Sequence, residues 1–174
     1  MEGGLPVSEL IHFEVLDLPA MAVVGKAIHP PESMQDNPIP AFWGQCFSEG
    51  VFAALEQLQD FVLDPSYVGF MCDWNAPDGT FTYICGMMMK PGCPVPDGYV
   101  SRPVPPSKVA IGWVRGPEQD NYAVAHELTL AALQKAGHRA DEAAMWCAEV
   151  YNCPRFTTKQ DNGDVILDYY IPCL

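Results

Sequence analysis

The chain has 174 residues, 49% hydrophobic and 18% charged, enough apolar material for one ordinary core and too little charge for a disordered chain. Its formal charge is −13, from 22 acidic and 9 basic residues. The Lys and Arg are scattered without a basic run, which speaks against direct nucleic-acid binding; an acidic field attracts cations instead.

Residues 1–9 read as a loose lead-in. Residues 13–28 alternate imperfectly through Val15, Leu16, Met21 and Val23, a strand broken near Pro19. Pro30, Pro31, Pro38 and Pro40 mark a loop that launches a helix. Phe47, Val51, Leu55, Leu58 and Val62 keep helical spacing, so a helix is expected over about 41–62, stopped at Asp64-Pro65. Strands at 67–74 and 80–89 follow, joined by the turn signal Ala76-Pro77-Asp78-Gly79. Residues 90–98 resemble a linker. After it come a strand at 100–114 with prolines early in it, and a helix from Asp120 to Gly137 with Val124, Ala125, Leu128 and Ala132 inward. Strands at 146–151 and 165–172 close the chain, separated by a turn at Gln160-Asp161-Asn162-Gly163.

The two halves share this order and some sequence. Pro19-Ala-Met-Ala-Val-Val-Gly25 lies over Pro106-Ser-Lys-Val-Ala-Ile-Gly112, and Asp78-Gly79 lies over Asn162-Gly163. The expectation is α+β: one domain over 1–174, built from two β-α-β-β pseudo-repeats (about 10–90 and 99–174) that form one antiparallel sheet. Both helices would cover one face, leaving the ligand pocket on the other, concave face.

No basic segment leads into an apolar run, so no signal peptide is expected, and no stretch approaches the roughly 18 apolar residues of a membrane span. These features suit a cytoplasmic protein away from membranes. The seven cysteines include no Cys-x-x-Cys pair and read as small core residues in a reducing compartment. No metal or cofactor is expected. His126-Glu127 opens like a zinc motif, but Leu130 stands where its second histidine belongs, and Cys147, Cys153 and His138 lack zinc spacing.

Glu149 carries the functional reading. In Trp146-Cys-Ala-Glu-Val-Tyr151, alternation puts Glu149 and Tyr151 on one strand face, and an unpaired carboxylate among aromatics is costly to keep. Ile39-Pro-Ala-Phe-Trp-Gly44, Val104-Pro-Pro106, Ala148-Glu-Val-Tyr151 and the ending Asp168-Tyr-Tyr-Ile-Pro-Cys173 together resemble the GyrI-like family. Its members are effector-binding domains found alone or behind helix-turn-helix domains in multidrug-responsive regulators. No helix-turn-helix segment precedes Phe13, which implies a stand-alone module.

The resemblance implies a pocket between the pseudo-repeats with Glu149 at its centre, for hydrophobic and preferably cationic small molecules. Tyr151, Tyr170, Trp43, Phe47 and Trp113 are its candidate walls; Trp74 reads as a rim residue. In the closing strand the sequence departs from the family: its usual glutamate is Asp168 here, so no ligand role is carried over to that position. Two alternatives accompany this reading. One is a hydrolase of strained-ring natural products with Glu149 as its catalytic general base. The other is a gyrase-inhibitor-like protein acting through its acidic surface. Exposed sheet edges would admit a protein partner or a homodimer.

Overall fold

The computed structural model describes residues 8–174; most of the expected lead-in lies outside them. Eight strands and three α-helices run in the order β1 (Glu9–Leu18), β2 (Met21–Ile28), α1 (Ile39–Ser48), α2 (Val51–Glu56), β3 (Val62–Cys72), β4 (Thr82–Met89), β5 (Val100–Val104), β6 (Ser107–Gly116), α3 (Glu118–Lys135), β7 (Trp146–Tyr151) and β8 (Val165–Pro172). The strands form one antiparallel sheet ordered β1-β6-β8-β7-β3-β4-β2-β5. The α+β class with helices on one face of a single antiparallel sheet is as expected.

Three expected elements are divided. Pro19 and Ala20 separate β1 from β2, and Pro105 and Pro106 separate β5 from β6. β1 pairs with β6 of the other half of the chain, and β5 pairs with β2. The expected 41–62 helix breaks at Gly50, whose φ of +71° ends one helical run and starts the next; only a residue without a Cβ adopts that backbone cheaply. Helical spacing continues through Val51 and Leu55, so the break leaves no trace in the apolar pattern. Val62 opens β3, and Pro65 sits where the β3–β4 register shifts between Val62 and Tyr67, a bulge that tolerates its missing N–H.

The helix α3 is specified locally. Glu118 and Asp120 lie in its first turn and Lys135 in its last, matching the helix dipole at both ends. Gly137 follows with φ +90°, a left-handed stop.

The short links set the sheet's curvature. β1 and β2 stand first and seventh in the strand order, about 29 Å apart if the sheet were flat. The link Pro19-Ala20 reaches only about 11 Å. The sheet must therefore curl until its ends approach, and the inside of the curl is filled. Met21, Val104, Val109, Phe70, Trp146 and Tyr170 share one buried cluster there. The helices pack on the outer face: α1 and α2 over β2 and β4, α3 over β6 and β8.

Candidate functional site

The site grows from the two central strands on the helix-bearing face. In β7, Ala148 and Val150 enter the inner cluster, so alternation turns Cys147, Glu149 and Tyr151 outward. Glu149 lies opposite Gly69 of β3, and Tyr151 opposite Tyr67. The missing side chain at Gly69 makes the floor: a Cβ there would overlap the Tyr83 hydroxyl and stand 3.2 Å from Glu149 Oε1. Tyr83 reaches this spot from β4, almost fully buried.

Two hydroxyls hold the carboxylate. Tyr151 donates to Glu149 Oε1 at 3.0 Å and Tyr83 donates to the same oxygen at 3.4 Å. The Trp43 indole N–H in turn donates to the Tyr83 oxygen at 2.8 Å. Among the described residues neither a donor to Glu149 Oε2 nor an ion pair to Glu149 occurs. Burial pushes the Glu149 carboxyl from 4.5 up to about 7, against the opposing pull of the Tyr151 and Tyr83 hydrogen bonds. Desolvation therefore wins over hydrogen bonding, and near neutral pH the group is poised between its charged and uncharged forms.

Above this floor a cavity of about 720 Å³ opens between α1 and α3, in the size range of small-molecule sites. Aromatic rings form its walls. Trp43 meets Tyr151 edge-on at 5.0 Å, and Phe156 meets Tyr151 edge-on from the other side at 4.8 Å. Phe47, 59% exposed, stands at the mouth. Glu118 and Tyr122 supply the α3 side, and among the described residues no Lys, Arg or His lines the cavity.

Four residues singled out from sequence, Glu149, Tyr151, Trp43 and Phe47, thus meet at one cavity. Two do not. Tyr170 pairs with Ala148 in the β7–β8 register and belongs to the inner cluster, on the face away from Glu149. Trp113 pairs with Asp168 and also packs against that inner cluster; the Arg155 guanidinium lies 3.7 Å from its ring centre and the His12 ring lies tilted against it at 4.3 Å. The cavity accordingly lies on the helix side of the sheet, because the concave face expected to hold it is closed by the curl. Asp168 is occupied as well: Arg155 binds it through two N–H···O contacts of 2.8 and 2.6 Å. Trp74 joins the α3-side cluster and is absent from the cavity lining.

Sequence reasoning missed Tyr83, Tyr122 and Phe156. Tyr83 had a signal: with Cys85 and Met87 it alternates on β4, and the β3–β4 pairing puts it beside the glycine that admits it. Phe156 had none, since it lies on the irregular 152–164 connection.

With this geometry established, comparisons place the chain. A family model described as Cass2, integron-associated effector binding protein, matches residues 14–173. No curated protein matches the chain in sequence. Among solved structures, SAV2435 bound to tetraphenylphosphonium superposes with TM-score 0.66 at 15% identity, covering 94% of either chain. A putative transcription regulation protein of Staphylococcus aureus MU50 gives 0.63 at 16%, covering 93% of this chain and 97% of that one. An integron cassette protein from the mobile metagenome of Vibrio cholerae gives 0.59 at 14%, covering 97% and 99%. At such identities these structures attest the fold alone.

Proposed function

The chain belongs to the family of integron-associated effector binding proteins, and on that footing we propose that it binds lipophilic organic cations through Glu149. The observation that carries this reading is the half-buried Glu149 carboxylate, held by hydroxyls on one oxygen, unclaimed on the other, in an aromatic cavity without a basic residue. A delocalised cation sheds little hydration on entering, gains Coulombic attraction at low effective dielectric, and gains cation–π contacts of about 0.5–2 kcal/mol each from Trp43 and Tyr151. The tetraphenylphosphonium carried by SAV2435 is a ligand of this chemical class. Regulation or drug sequestration would follow from such binding.

Calorimetric titration with tetraphenylphosphonium and with neutral triphenylphosphine oxide tests the proposal. Only the ionised carboxylate attracts the cation, so affinity should rise about tenfold from pH 6 to pH 8, as a group titrating near 7 becomes charged. Glu149→Gln should weaken the cation about tenfold or more and abolish this pH dependence, with the neutral compound within about threefold of its original affinity. Equal losses for both compounds would remove the electrostatic basis of the reading.

A value near 7 also suits a general base, which keeps the hydrolase reading as an alternative on the same residue. Turnover of a strained-ring electrophile, lost in Glu149→Gln, would favour it over simple binding.

A further inference from the structure

The cavity contains a second carboxylate that the central glutamate leaves unexplained. Glu118 opens α3, lines the same cavity as Glu149, and accepts the Tyr122 hydroxyl at 2.9 Å. Tyr122 lines the cavity beside it. Burial first, then the Glu118 charge, raises the Tyr122 phenol above its ordinary value, and the neighbouring Tyr151 hydroxyl opposes them. Tyr151 is the residue that donates to Glu149. Among the described residues the two acids therefore line one cavity, each accepting a tyrosine hydroxyl, with no basic side chain in the lining.

Glu118 has local work at the start of α3, where the helix dipole favours a negative charge. That terminus carries only about half an elementary charge, and a phenol hydroxyl none. About half of the negative charge at the rim is left uncompensated, and water at this exposed position screens it more than at the floor.

Resting on the cation-pocket reading, we infer that the preferred ligand class is an elongated aromatic dication. One cationic end lies at Glu149 on the floor and the other at Glu118 on the rim, with the aromatic middle against Tyr151 and Trp43. A monocation satisfies only the inner acid.

The test compares an aryl bis-amidine with its mono-amidine, whose second end is a neutral carboxamide of the same shape, on the full chain by calorimetry. The wild-type protein should bind the dication about fivefold more tightly, the scale set by one rim ion pair. Glu118→Gln keeps an acceptor for Tyr122; it should erase that preference and leave the mono-amidine within about twofold. Tyr122→Phe, which retains both charges, should keep the preference, and thermal melting confirms that each variant is folded. Equal wild-type affinities for the two amidines, or a Glu118→Gln loss of the same factor for both, would overturn the dication inference while leaving the cation pocket standing. Failure of both amidines to bind the wild-type protein would overturn the pocket reading and this inference together.

Discussion

Replacing Glu149 by Gln should make the ligand-free protein more stable at alkaline pH. In the folded chain the carboxyl titrates near 7, against 4.5 for the free group, with burial as the cause. Between those values the folded state holds a proton that the unfolded chain has released. Stability therefore falls as pH rises through that window, and the loss is complete above about 7. The interval between 4.5 and about 7 corresponds to about 3 kcal/mol. Cavity water reaching the half-buried carboxylate lowers this to about 2 kcal/mol. Gln is nearly isosteric, can accept from Tyr83 and Tyr151 through its carbonyl oxygen, and has no charge to desolvate. Urea unfolding at pH 8 should show Glu149→Gln more stable by about 2 kcal/mol, or about 4–8 °C in Tm for a domain of this size. At pH 5 the gain should shrink to about a quarter of that, since the folded wild-type residue is then protonated. All other titrations are common to both proteins and cancel in the difference. A variant less stable than wild type at pH 8, or a gain identical at both pH values, would refute the desolvation argument.

Two other substitutions probe the frame of the site. Gly69→Ala places a methyl group into the Tyr83 hydroxyl and beside Glu149 Oε1; it should cost about 1–3 kcal/mol in chemical unfolding. It should also weaken tetraphenylphosphonium about tenfold in calorimetry, with part of the loss recovered when Tyr83→Phe is added, since the hydroxyl is the nearest obstacle. Arg155→Ala leaves Asp168, whose side chain is 3% exposed, as an unpaired buried charge, and should cost about 3 kcal/mol. Adding Asp168→Asn should recover much of that cost, and an additive double-mutant cycle would show that the pair is uncoupled.

Strands β7 and β8 were legible to their ends because each is a period-2 run bounded by turn residues, and local sequence carries that signal. The divided strands were not. Pro19 and the Pro105-Pro106 pair advertise interruptions, but nothing local says that β1 will cross to β6 and β5 to β2. Tyr170 and Trp113 were misplaced for a related reason. Alternation sorts residues into two faces without saying which face of one strand continues which face of the next. Only the register, Ala148 opposite Tyr170 and Glu149 opposite Tyr169, decides that. Gly69 was silent for the same cause, since its meaning lies in Tyr83 on the neighbouring strand β4.

Comparing Asp168 with Glu149 shows that Glu149 does not lack a cationic partner for want of one nearby. Asp168, on the inner face, is 2% exposed and bound by both arms of Arg155. Arg155 belongs to the connection whose next residue, Phe156, packs on Tyr151 in the cavity wall. A basic side chain thus stands one residue from the Glu149 cavity and is committed to the opposite face, held there by Asp168 and by the Trp113 ring. The connection presents its arginine inward and its phenylalanine to the cavity. Were Arg155 to reach Glu149, the site would be neutralised from within and closed to a cation. A half-buried carboxylate left with two neutral hydroxyls, beside a basic side chain secured elsewhere, keeps its charge available, which supports the proposed cation reading.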